Sequence, residues 1–463
     1  MVPDSKGGLK ECPKPLSEGY YNNVMRPFRN LIEKRIRNDS SFPIPPLSDA
    51  AFVALYSGAK KKRYQEACDS LLRESVVPRD AHVSCFVKVE KINFSAKVDP
   101  CPRVIQPRSF RYSAALGKNI KHLEKPLFNC INDIFGGPTV LKGYDCIASA
   151  THLHDMWQQF KHPVAIGMDA SRFDQHCSVP ALMWEHDIWT MMTTSKRVRR
   201  LLDMQLETIG RGYTHDGVVK YRTQGCRMSG DMNTSSGNCL LMCAMVYNYC
   251  HSNAIGKFRL ANNGDDCVLI IEQCDLWKID NIPGWFHKIG YTMKVEKPVR
   301  IFEQISFCQT QPVFDGVGYR MVRDPRVSLA KDLTSTLDLR NGRTRALWLN
   351  AMHHGGKSLT TGVPVLQNFY TIFPTTTIKM TDRETTLVDF MQSGFSRMRP
   401  KVFGGHRLIC PEARYSFWLA FGILPDTQEV LEHRFNTISL GRCDMVVSDQ
   451  DYSELSILVE NPI

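Results

Sequence analysis

The chain alternates between short continuous apolar runs, long apolar-rich stretches and Gly/Pro-punctuated polar segments, and each change predicts an element. The run within HPVAIGMDAS (162–171) is short and apolar, and predicts a strand rising into Asp169. SVPALMWEHDIWTMM (178–192) is long enough for a helix, with Ser178 as N-cap and Pro180 in the first turn. GCRMSGDMNTSSGNCLLMCAMVYNYC (225–250) predicts a Gly- and Ser-rich loop running into an apolar helix. KFRL and CVLII flank ANNGDD, and Asn263-Gly264 is the signal for a hairpin turn between two strands. FHKIGYTMKVEKPV (286–299) predicts a helix passing into a strand, and QISFCQTQPVF (304–314) another hairpin.

Upstream, SFPIPPLSD (41–49) leads to a helix start near Ser48, and GAKKKRYQEACDSLLRES (58–75) predicts a helix with a basic start. CFVKV and RVIQ read as short β pieces between Pro-containing turns. From about residue 318 the chain leans to helix, with aromatics in YSFWLAFGIL (415–424). Strands and helices interleave without a βαβ rhythm, which predicts an α+β fold.

A length of 463 residues predicts two or three packed lobes. At 43% hydrophobic, 23% charged and 10% aromatic residues the composition excludes a disordered chain. The formal charge of +11 fits either a polyanionic partner or a merely basic surface. The 16 cysteines form no Cys-x-x-Cys pair, and read as small buried hydrophobes in a reducing compartment. The N-terminus carries no visible signal peptide, and the longest apolar run (239–250) falls short of a bilayer span. A soluble chain is expected.

Clustering changes the picture of charge. Residues 83 to 125 carry Lys88, Lys91, Lys97, Arg103, Arg108, Arg111, Lys118, Lys121 and Lys125 against three acids, a strip suited to phosphates. If the strands ending at Asp169 and around Asp265-Asp266 are neighbours, three carboxylates meet at a sheet edge. Mg2+ binds such oxygen ligands together with substrate phosphates. Taken alone, each motif reads more readily as turn, capping or surface chemistry. In CRMSGDMNTSSGN, Ser229, Thr234 and Asn238 offer neutral hydrogen bonds beside glycines that permit close approach.

In order, the chain gives a basic ribbon, Asp-x4-Asp, Ser-Gly-x3-Thr-x3-Asn, Gly-Asp-Asp in a hairpin, a lysine-bearing segment and a further hairpin. This order resembles the palm of RNA-dependent RNA polymerases of positive-strand RNA viruses, with DASRFD, SGDMNTSSGN and NNGDD nearest the plant tombusvirus-like group.

The resemblance implies a right hand closed by finger–thumb contacts. The arm and fingers would span 1–160, the palm 161–315 with a finger insertion at about 180–222, and the thumb and acidic tail 316–463. It implies Asp169 and Asp265 as main ligands of Mg2+ (or Mn2+), with Asp266 assisting. Asp174 would read the ribose through Asn238 and Ser229, with Thr234 nearby. Lys97, Arg103 and Arg108 would grip the triphosphate, and Lys294 or Lys297 would protonate the leaving pyrophosphate. Phe307 and Cys308 resemble the hairpin that supports the primer end.

Implied partners are template and product RNA, ribonucleoside triphosphates, a viral replication-associated protein and host factors. The implied location is the host cytoplasm, at membrane-associated replication complexes reached through another segment or partner. Two other readings stay open. A reverse transcriptase or related palm polymerase would need a bulky gate near Asp174. A non-catalytic RNA-binding viral protein would use the basic strip alone.

Overall fold

The computed structural model describes residues 12–91, 102–375 and 405–438, with the backbone of two short strands before them. The chain forms two compact units, the first of residues 1–88, 101–142 and 162–298, the second of residues 89–100, 143–161 and 299–463.

The strands of the first unit, in chain order, are β1 (Val2–Pro3), β2 (Leu9–Lys10), β3 (Val83–Val87), β4 (Val104–Ile105), β5 (Pro163–Ala170), β6 (Glu207–Thr214), β7 (Gly217–Gln224), β8 (Phe258–Asn263), β9 (Asp266–Glu272) and β10 (Met293–Val295). One antiparallel sheet has the order β10-β5-β9-β8. Its strands are apolar because both faces are covered: Val164, Ile166, Leu269, Ile270 and Ile271 are fully or almost fully buried. Each such side chain contributes about 1.5–3 kcal/mol of burial energy. The helix Thr234–Ser252 is buried on nearly every side. This explains its lack of an amphipathic pattern, since a helix apolar all round belongs in a core. The helix Glu18–Asn38 lays Tyr21, Met25, Phe28, Ile32 and Ile36 into the same core. The helix Val179–Met192 begins as expected, Ser178 Oγ accepting from the Ala181 N–H at 3.4 Å.

A second sheet has the order β4-β3-β6-β7. CFVKV and RVIQ do pair antiparallel, and the β3–β6 pairing beside them is parallel. Much of the basic strip proves to be structural. Arg111 binds Asp80 at 3.1 Å, Lys118 binds Asp49 at 2.5 Å, and Lys121 binds Glu124 at 2.5 Å. Several cysteines are buried thiols, as the composition predicted; burial pushes Cys130 up to about 11.

The second unit is built on the hairpin β11 (Thr310–Phe314) and β12 (Tyr319–Arg323), with the helices Cys146–Trp157, Gly342–Thr360, Pro411–Phe421 and Pro425–Thr437. Val313, Val322, Trp348, Phe369, Phe417 and Phe435 share its core. The stretch 304–314 is half of the expected hairpin. β11 pairs with the following strand, and before it Phe307 and Thr310 exchange two backbone bonds of 2.9 and 3.0 Å around Cys308 and Gln309. Those two residues take positive φ of 53° and 60°, which a tight two-residue turn requires. The acidic tail lies outside the described residues. No helix among the described residues is long and apolar enough to cross a membrane.

Candidate active site

Register across the first sheet places the key groups in one row. Lys294 is opposite Asp169 across β10 and β5, Asp169 is opposite Asp266 across β5 and β9, and Asp266 is opposite Asn263 across β9 and β8. Directly opposed residues share a face, so the row carries one lysine and two carboxylates side by side.

The turn that supplies Asp265 is displaced by one residue from the expected Asn-Gly turn. Because Asn263 pairs with Asp266, the two tip residues are Gly264 and Asp265. Gly264 has φ 88°, the first-position conformation that favours glycine. Asn262 works from the strand: its Nδ2 donates to the Gly264 carbonyl at 2.8 Å, and its Oδ1 accepts from the Gly264 N–H at 3.3 Å. Asp265 therefore projects from the tip, whereas Asp266 opens β9. Burial raises the Asp265 pKa, and the charges of Asp174 and Asp169 raise it further.

After β5 the chain turns through Arg172, which takes φ 52°, and Asp174 follows. Asn238, on the first turns of Thr234–Ser252, donates to Asp174 Oδ1 at 2.8 Å. Desolvation raises the Asp174 pKa, and the Asn238 bond opposes that. Asn238 Oδ1 is buried with no hydrogen-bond partner among the described residues. An acceptor left in this state is costly unless a ligand donor reaches it.

Ser229 and Thr234 are engaged elsewhere. Ser229 Oγ accepts from the Gln106 N–H at 3.1 Å, and Thr234 Oγ1 donates to the Met228 carbonyl at 2.6 Å. The expected triphosphate role of Arg108 meets a different geometry. Its guanidinium is enclosed, donating to Asp231 at 2.5 Å, to Thr208 at 2.9 Å and to the Ala81 carbonyl at 2.5 Å. Gly230 completes this junction, because a Cβ there would stand 2.5 Å from Pro107 Cα. The strand-like segment 106–108 is thus riveted to the Gly-Ser loop.

Arg103 is exposed beside β4, its carbonyl accepting from Lys88 N–H at 2.8 Å. Lys97 lies outside the described residues. Lys297 is exposed beyond the end of β10.

Two features escaped sequence reading. Glu296 lodges its carboxylate over Gly167, where a Cβ would meet it at 2.1 Å; burial and then Asp169 raise its pKa. Behind the loop, Arg227 pairs with Glu185, both fully enclosed, and Glu185 also accepts from Asn233 and Trp189 at 2.8 Å. Arg227 N–H donates to the Asp174 carbonyl at 2.8 Å, joining this pair to the Asp174 turn. Glu185 and Arg227 are far apart in sequence and sit in unremarkable helical and loop contexts, so no local signal marks them.

Among the described residues, no group of three or more His, Cys, Asp and Glu side chains is gathered closely enough to hold a metal by itself. The donor chemistry nonetheless fits Mg2+, which binds through one or two carboxylates completed by water and substrate phosphates. Asp265 feels two neighbouring carboxylates and one cation, Lys142, a surplus of negative charge that a divalent ion relieves.

The model of the viral RNA dependent RNA polymerase family matches residues 1–442. Over 448 residues the chain is 43% identical to the RNA-directed RNA polymerase of tobacco necrosis virus (strain A), covering 96% of this chain and 60% of that protein. The cucumber necrosis virus protein of the same name is 43% identical, over 94% of this chain and 52% of the relative. The turnip crinkle virus protein is 39% identical, over 95% and 56%. The chain therefore spans between half and two thirds of the length of these relatives. This chain belongs to the viral RNA-dependent RNA polymerase family.

Proposed function

We propose that the chain carries the catalytic centre of a template-directed RNA polymerase with fingers, palm and thumb, the β10-β5-β9-β8 sheet being the floor of the palm. The observation that carries this reading is the register that lines up Lys294, Asp169 and Asp266 beside the Asp265 tip. Asp169 and Asp265, with Asp266 in support, would hold Mg2+ (or Mn2+), which when bound activates the 3′-hydroxyl and stabilises charge on the leaving pyrophosphate.

The protein's own groups do the remainder. Asp174 fixes the Asn238 amide, so that its free Oδ1 accepts from the ribose 2′-hydroxyl; a site built for a hydroxyl rejects the analogue without one. Arg103 contributes charge to the triphosphate. Lys294, in the carboxylate row, is the proton donor to the leaving group. Template and product RNA and ribonucleoside triphosphates are the ligands this chemistry requires. We place its action in the host cytoplasm, in complexes that reach membranes through another segment or a replication-associated protein, with host factors.

The test is nucleotide incorporation on an RNA template with Mg2+, comparing ribo- and deoxyribonucleotides. Template-dependent incorporation that prefers ribonucleotides and is lost in Asp265→Asn supports the reading. Incorporation undiminished in that variant overturns it.

A further inference from the structure

The outer face of the β4-β3-β6-β7 sheet bears side chains that neither the core nor the catalytic site uses. Ile105 is opposite Phe86, and Tyr213 is opposite Val218. The parallel β3–β6 register pairs Cys85 with Gly212, so one step further sets Phe86 beside Tyr213. Alternation puts these four on one face as an apolar row crossing all four strands. Phe86 is 54% exposed, Tyr213 69% and Val218 49%.

The next row on the same face holds Arg211 opposite Lys220, and the one after it Ile209 opposite Arg222. Arg222 pairs with Glu207, whereas Arg211 and Lys220 have no carboxylate within ion-pair distance among the described residues. On the opposite face at this end, Val87, Val104 and Val219 are exposed without such cations, so charge distinguishes the two faces. The sheet is tied to the Gly-Ser loop: Tyr221 on β7 donates to the Gln106 side chain, while Gln106 N–H binds Ser229.

We propose that this face is a platform for single-stranded RNA, the bases stacking on Phe86 and Tyr213 and the phosphates tracking Arg211 and Lys220. Exposed aromatics on a sheet next to a row of cations are the two elements that sequence-tolerant strand binding needs. The proposal rests on the polymerase reading for its strand, the template outside the catalytic centre. Its occupant is nevertheless identified by this surface alone.

The test is fluorescence anisotropy of the full chain with labelled oligouridylate, with the same strand carrying abasic positions, and with duplex RNA as competitor. Tyr213→Ala should weaken oligouridylate binding about fivefold or more, by loss of a base stack, and leave the abasic strand unchanged. Tyr213→Phe should restore affinity. Arg211→Gln with Lys220→Gln should weaken both strands and reduce the salt slope by about 1.4, as fewer counterions are released.

Thermal melts equal to the parent chain exclude misfolding, and a disturbed melt moves the test to Phe86→Ala. Equal affinity of all these variants for both strands overturns the proposal. So does loss of binding to a viral replication protein with RNA affinity intact, which would make the face a protein surface. If no protein incorporates nucleotides, the polymerase reading fails while the anisotropy series still decides the platform.

Discussion

Asp169 and Asp266 face each other directly across β5 and β9, while Asp265 occupies the hairpin tip one residue earlier. The two adjacent aspartates thus have different jobs in the fold. One is anchored by strand pairing, and the other is presented at the edge among Asp169 and Asp174.

Asp265→Asn should weaken metal-linked stability and incorporation together. With Mg2+ at ten times its dissociation constant, the parent chain should gain about 1.4 kcal/mol, read as a rise of about 1–3 °C in melting temperature. The variant should show a markedly smaller rise and lose about 100-fold or more in kcat/KM. Asp266→Asn should retain more of both. Equal Mg2+ shifts in parent and Asp265→Asn would remove Asp265 from the metal site.

In the metal-free chain, Mg2+ affinity should begin to fall at a pH above the usual carboxylate range. Burial and neighbouring carboxylates raise Asp265 above its ordinary 3.8, so its protonated form is favoured in the fold. That contribution to stability is fully present below the unfolded value and is lost as pH rises through the folded one. Mg2+ binding needs the ionised form and runs the other way, weakening as pH drops through the raised value. Without metal, Asp265→Asn should therefore melt higher than the parent at neutral pH. A lower melting point in calorimetry would contradict this.

Asn238→Ala should erode sugar selection more than catalysis. Losing one hydrogen bond to the 2′-hydroxyl costs about 1–3 kcal/mol, so the ribo/deoxy ratio of kcat/KM should fall by about 5- to 150-fold. Asp174→Ala should fall in the same direction, because the Asn238 amide loses its anchor. Unaltered discrimination in single-nucleotide kinetics would exclude this pair.

Arg108→Ala should act first on stability. Removing one partner of an enclosed ion pair costs about 3–5 kcal/mol, while a paired replacement, Arg108→Met with Asp231→Leu, should recover much of it. Denaturant melts of the cycle test this, and additive losses would deny the coupling.

Lys294→Leu should lower kcat by about 100-fold with little change in KM, and Lys297→Leu should do much less. The reverse order would transfer the proton-donor role to Lys297.

Much of the architecture was legible because local chemistry decided it. Ser178 and Pro180 announce their helix start, the run before Asp169 could be little except a buried strand, and Asn-Gly signalled the hairpin. The order of the motifs, and with it the family, also lay in the chain.

Register and partnership did not. A hairpin signal cannot say which two residues form the tip, because neighbouring turn registers differ by one residue; pairing across the whole of β8 and β9 chose Gly264 and Asp265. Arg103 and Arg108 look alike as positive residues in a basic strip. Only folding, which brought Asp231 and Thr208 around Arg108 and left Arg103 exposed, enclosed one guanidinium and kept the other in solvent. The sequence by itself determined which chemistry is present and the strands that carry it. The tertiary structure decided which charges are neutralised inside and which stay in solvent, because that depends on residues a hundred or more positions away.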